Sequence, residues 1–180
     1  ADIGGVYYSF ASTFTQLADK EIDGYTFETK TTAGSVANLR LISDGYIDLA
    51  IAQADLLSDA YNATGTFADK KYQKGYKAVA SLYTECCQIV VRKDSGITGI
   101  DDLINKTVSV GASESGSEKN AEQILKMSGI TDELINKVNM DYTEAAEKLK
   151  AGEIDAFFCT AGTRTEVIGQ LSKECDICLI

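Results

Sequence analysis

The segment Gly111-Ala112-Ser113-Glu114-Ser115-Gly116-Ser117-Glu118 combines residue types that can hold a small anion without a basic side chain. It follows a short apolar run and opens a helical pattern. Amides in the first turn of a helix have no acceptor inside it, and the macrodipole adds partial positive charge, so a carboxylate or phosphate fits there. Ser115 and Ser117 offer hydroxyls, and Gly116 lets a ligand approach the backbone. The same residues also read as an ordinary N-cap, with Glu118 as the capping-box partner of Ser115. Both readings stand on the motif alone.

Two further starts share this small polar chemistry. Thr32-Ala33-Gly34-Ser35-Val36-Ala37-Asn38 joins a strand-like run to a helix, and Gly4-Gly5-Val6-Tyr7-Tyr8 opens the first helix. Tyr7 and Tyr8 can pack a ligand's carbon skeleton, with one of them expected in the core. Gln53 and Thr160 each follow a buried apolar run, where an amide or hydroxyl gives directional contacts. Arg92 is a possible partner for an acidic ligand, although a structural ion pair is the commoner fate of such a residue.

The chemistry that is absent narrows the function. The 180 residues contain no His, Trp or Pro. Ser-His-Asp and Cys-His catalysis are thereby removed, with any His-bearing zinc site. The run GASES departs from the G-x-S-x-G elbow, because Ser115 stands at the second glycine. Ser117 and Lys119 are two apart on a helix and do not face each other. No catalytic residue, metal site or cofactor is expected, and the chain reads as a binding protein. A net charge of −10 and a pI near 4.5 argue against nucleic acid and favour a monomer. No apolar run is long enough to span a bilayer. Of the five Cys, Cys86 and Cys87 lie in an apolar run, and Cys175-x-x-Cys178 lacks a second half-site.

The elements that must position these residues follow from periodicity. Helices are expected over Gly5–Lys20, Ser35–Ser43, much of 54–77, Glu118–Met127, Thr143–Lys150 and beyond Gly162. Strands are expected over Tyr25–Thr31, Ile47–Ala52, Ala78–Tyr83, Gln88–Arg92, Val108–Gly111, Val138–Asp141, Ile154–Cys159 and Asp176–Ile180. The runs IDLAIA and IDAFFC carry the near-continuous apolar character of strands buried on both faces. Ile42, Gly45, Ile47, Asp48 and Gln53 recur as Leu149, Gly152, Ile154, Asp155 and Thr160, a constant offset of 107 residues. In both places a helix stops on Gly and an Ile-Asp pair launches a strand. The Asp is expected to cap or turn rather than catalyse. The repeat predicts an α/β fold of two lobes, 1–84 and 85–180, each with a mostly parallel sheet flanked by helices and with a ligand cleft at the strands' carboxyl ends.

The succession GGVYY, TTAGSVANLRLISDGYIDLAIAQAD, VVRKDSGITGIDDLINKTVSVGASESGSEKNAEQIL and AGEIDAFFCTAG resembles the TAXI family, the TRAP-transporter-associated extracytoplasmic solute receptors. The resemblance runs in order over nearly the whole chain. It implies a type II periplasmic-binding-protein fold that captures a glutamate-like amino acid or small carboxylate outside the cytoplasm and delivers it to an ion-driven TRAP permease. It places ligand contacts on Tyr8, Gly34, Ser35, Asn38, Gln53, Ser115, Gly116, Ser117 and the Thr160–Gly162 turn. The family has a strand before the GG motif and a C-terminal return to the first lobe. Here lobe 1 is expected to be partial, with the return beginning near 175–180, and its open strand edges offer a route to a dimer. Thr163-Arg164 stands where the family often has Pro. The same fold also serves as the ligand-sensing domain of regulatory proteins.

Overall fold

The computed structural model describes residues 4–69 and 75–180, and from Glu85 onward the expected alternation closes into one sheet. Its strands are β1 (Cys86–Arg92), β2 (Thr107–Ser109), β3 (Asn136–Val138), β4 (Ala156–Ala161) and β5 (Ile177–Leu179), in the order β3-β2-β4-β1-β5. β2 runs parallel to β3 and β4, whereas β1 is antiparallel to β4 and β5. The carboxyl ends of β2 and β4 therefore share an edge with the amino end of β1, where Cys86 pairs with Ala161. Residues 177–179 close this sheet as its edge strand beside β1.

The helices are α1 (Val6–Glu21), α2 (Ser35–Ser43), α3 (Ala54–Asn62), α4 (Gly116–Met127), α5 (Tyr142–Ala151) and α6 (Glu166–Glu174). Alternation along each strand sends side chains to opposite faces, and the core divides accordingly. Ile89, Val91, Val108 and Phe158 pack with Ala121 and Leu125 of α4 on one face. Val90, Phe157 and Cys159 pack with Leu149 of α5 and Leu171 of α6 on the other. Phe157 and Phe158 are fully buried, and each contributes roughly 1.5–3 kcal/mol of transfer free energy. The same alternation separates the Cys-x-x-Cys pair. Cys178 packs against the α4 side and Cys175 against the α5–α6 side, so both thiols serve as small apolar groups on different faces.

The first half differs from expectation. The segments 25–31, 47–52 and 78–83 carry no strand ladder among the described residues, and Leu49 and Ala50 are exposed. An apolar, β-branched run makes a segment ready for a sheet, but the ladder needs a neighbour for every backbone group. Here side chains supply part of that need. Asn38 Nδ2 donates to the Ile51 carbonyl at 2.8 Å, and the Phe27 amide donates to Asp19 Oδ1 at 2.7 Å. A small third cluster joins Val36 and Leu39 of α2 to Leu56 and Ala60 of α3 and to Phe67 in a short 3-10 turn. Of the helix expected over 54–77, α3 and that turn are present, and 70–74 lie outside the described residues. The stripe on α1 buries only Ala18, while Phe10, Phe14 and Leu17 stay exposed.

The 107-residue repeat appears in the backbone. Gly45 and Gly152 both adopt φ +75°, the left-handed conformation that stops α2 and α5. Asp155, expected to cap or turn, instead ties the start of β4 to the start of β2. Its carboxylate accepts from the Thr107 amide at 2.8 Å, and its own amide returns a bond to the Thr107 carbonyl at 2.8 Å.

Candidate ligand-binding site

The repeat and the sheet bring helix starts together. A cavity of about 50 Å³ is lined by Gly5, Val6 and Tyr7 at the start of α1, and by Ala33, Gly34 and Ser35 at the start of α2. Gln53, the N-cap of α3, forms one wall. Ser115, Gly116 and Ser117 at the start of α4 face it, and Asp141 and Tyr142 bring in the start of α5. Among the described residues, five of the six α-helices thus begin at one cavity, where first-turn amides and the positive ends of the dipoles gather. Glycine caps α1 and α2, and neither cap makes a side-chain bond to the first turn.

The α4 turn is built by three local constraints. Ser115 Oγ accepts from the Glu118 amide at 3.0 Å, which is the N-cap bond. Glu118 Oε2 takes the Glu114 amide at 2.9 Å instead of that of Ser115, so the box closes one residue early. Glu114 sits at φ +64° and Gly111 at φ +102°, where an added Cβ would lie 2.8 Å from Ser117 Cβ. Capping thus occupies the Ser115 oxygen as acceptor and leaves its O–H able to donate. Ser117 is more fully committed. Its hydroxyl accepts from the Thr160 amide at 3.0 Å and also meets the Tyr142 hydroxyl, which donates to the Thr160 carbonyl at 2.9 Å. Ser117 therefore fastens the start of α4 to the end of β4. Burial raises the Tyr142 phenol above its usual range, which keeps it neutral.

The two halves touch across this cavity. The Ala37 amide of α2 donates to the Glu114 carbonyl at 3.2 Å, and Arg40 Nη2 reaches Glu114 Oε2 at 2.7 Å. Gln53 Nε2 donates to Asn120 Oδ1 of α4 at 2.9 Å. Gly34 has φ +135°, and a Cβ there would stand 3.1 Å from Ser115 Cα. A Cβ on Gly116 would run into the Gln53 side chain. Gly34 thus permits a close backbone approach, and Gly116 leaves room for the Gln53 amide.

Glu85, which the sequence reading passed over, sits in this wall. Tyr7 Oη donates to its Oε2 at 2.8 Å and Tyr83 Oη reaches Oε1 at 3.4 Å. The Gln53 side chain stands in the same wall and also favours the charged carboxylate. Burial raises the Glu85 carboxyl above its ordinary range, and these bonds only partly oppose it. Burial, with Glu85 adding, also raises both phenols. Among the described residues, the lining holds the carboxylates of Glu85 and Asp141 and no Lys or Arg. The Asp141 carboxylate is occupied as the α5 N-cap, accepting from the Glu144 amide at 2.8 Å.

Seven of the ten expected contact residues line the cavity: Gly34, Ser35, Gln53, Ser115, Gly116, Ser117 and Thr160. Tyr8, Asn38 and Gly162 fall outside the lining. One residue is a 100° step around a helix, so Tyr7 turns inward where Tyr8 does not. Asn38 is held structurally, taking the Thr32 hydroxyl on Oδ1 at 2.6 Å and giving its amide to Ile51. Gly162 lies behind the wall, against the Tyr83 ring and Val6, with its carbonyl accepting from Thr165 Oγ1 at 2.7 Å. Arg92 sits at the far end of β1 and pairs with Asp94 at 3.0 Å. The signal for Glu85 was present in the sequence, since it is the sole charge between Lys77 and Arg92 and opens an apolar strand.

The fold is that of type II periplasmic binding proteins. An ancestral arginine-binding protein bound to arginine superposes with a TM-score of 0.60 at 22% identity, covering 94% of this chain and 66% of that one. The alkanesulfonate-binding protein SsuA from Xanthomonas axonopodis pv. citri, bound to MOPS, gives 0.64 at 16% identity, over 98% and 57%. The periplasmic aliphatic sulphonate binding protein SsuA from Escherichia coli gives 0.58 at 17% identity, over 98% and 53%. The chain thus spans from about half to two thirds of the length of these proteins. A sequence model of the NMT1-like family matches residues 1–180, and the chain belongs to that family.

Proposed function

We propose that the protein is an extracytoplasmic solute receptor. In this reading it holds a small carboxylate or a glutamate-like amino acid between lobes 1–84 and 85–180 and passes it to an ion-driven TRAP permease. The carrying observation is the convergence of five helix starts on one cavity between the two halves. Preorganised amides there replace the hydration of an anion without a buried cation. The solved neighbours support capture of solutes that bear an anionic group, since arginine carries a carboxylate and MOPS a sulfonate. The TRAP partner rests on the ordered sequence resemblance. The absence of His from these residues, with the Ser35, Ser115 and Ser117 hydroxyls engaged in holding the walls or capping helices, favours binding over turnover.

A thermal-shift screen of the protein against amino acids, dicarboxylates and sulfonates tests the reading. A ligand at 100 times its Kd should stabilise by about 2.7 kcal/mol. A flat response across all three classes would refute the receptor function.

A further inference from the structure

We propose that Glu85 receives a cationic group of the ligand, so that the cleft selects an amino acid or comparable zwitterion over a plain carboxylate or sulfonate. This rests on the receptor reading and assigns its substrate class.

The cavity has two poles of opposite demand. The helix starts at Val6, Ser35 and Gly116 present donors and partial positive charge. Around Glu85 the demand is reversed. Its carboxylate has room for about four hydrogen bonds. Tyr7 and Tyr83 supply two, both neutral. No Lys or Arg among the described residues lines the cavity to balance it. Gln53 adds a second acceptor. Its Nε2 donates to Asn120 Oδ1 at 2.9 Å, which fixes the amide orientation. Its Oε1 is buried and has no donor. An ammonium brings three donors and a positive charge, matching the free carboxylate positions and this amide oxygen. A ligand carrying only negative charge would meet Glu85 as a like charge in a half-buried site.

The opposing interpretation makes Glu85 a built-in counter-anion for the helix starts, indifferent to the ligand's charge. Isothermal titration separates the two. The L-amino acids are titrated against the protein, and each binder is compared with its deaminated analogue, for example L-glutamate with glutarate and 2-oxoglutarate. The amino acid is expected to bind at least about tenfold more tightly. Glu85→Gln, nearly isosteric and checked for an unchanged circular dichroism spectrum, is expected to erase that preference. Equal or tighter wild-type binding of the deaminated analogue overturns the assignment. So does a preference that survives Glu85→Gln. Binding of dicarboxylates or sulfonates with no amino acid binding also overturns it, while leaving the receptor reading intact. Silence from every ligand removes both.

Discussion

Gly34→Ala probes how the two halves meet. Gly34 adopts φ +135° and ψ −149°, a region reserved for glycine, and an L-residue held there costs about 1–3 kcal/mol. Its new Cβ would also lie 3.1 Å from Ser115 Cα and 3.6 Å from the Gly116 amide nitrogen. The clash is largely with backbone, so rotamer change cannot relieve it; the starts of α2 and α4 must move apart. Parting them weakens the bond from the Ala37 amide to the Glu114 carbonyl and the Arg40–Glu114 pair. Gly45→Ala is the control, because Gly45 is also left-handed, at φ +75°, with nothing within 4 Å of an added Cβ. The control should lose about 1–2 kcal/mol from backbone strain alone and keep its affinity. Gly34→Ala should lose about 2 kcal/mol, or roughly 4–8 °C in Tm for a chain of this size. Contact strain between the new Cβ and Ser115, at the wall of the cavity, should weaken ligand binding by a further ten- to thirtyfold, corresponding to about 1.4–2 kcal/mol. Differential scanning calorimetry and titration of both variants measure these quantities. Equal stability losses combined with wild-type affinity in Gly34→Ala would refute the close lobe contact.

Ser115→Asp separates capping from anion binding. Aspartate caps a helix as well as serine does, so Tm should change by no more than a few degrees while carboxylate binding is lost. Retained affinity would make the α4 turn a cap and nothing more. A second prediction concerns pH. Burial raises Glu85 above its ordinary value of 4.5 in the folded protein, with Tyr7 and Tyr83 donating to it, Gln53 also favouring the charged form and Asp55 adding repulsion. The folded state then holds this proton more tightly than the unfolded state. Stability of the wild type relative to Glu85→Gln should therefore fall as pH rises from 4.5 through the raised folded value. Urea titrations of both proteins at several pH values measure this, and a flat or rising difference would contradict the burial argument.

Many of the helices and their ends were legible as local pattern. α2 spans Ser35–Ser43 and α4 ends at Met127, as periodicity and caps indicated. The Gly45 and Gly152 stops follow from the same C-terminal chemistry. These features depend on neighbours in the chain, and sequence carries that information directly. The runs at 25–31 and 47–52 were misleading for a physical reason. They have strand composition, yet a strand exists only when another backbone completes its hydrogen bonds, and among the described residues none does.

The site divides along the same line. The sequence by itself determined that its helix starts carry free amides and that no histidine is present, because dipoles and free amides belong to a helix end wherever it lies. Only the tertiary structure decided that five such ends meet at one cavity and that Tyr7, not Tyr8, turns inward. It also showed that the Ser117 hydroxyl is committed to Thr160 and Tyr142. Glu85 gained its place in the same way. A carboxylate's role depends on which charges surround it, and the residues around this one come from α1, the N-cap of α3 and the segment before β1. No local pattern brings those together; the fold does.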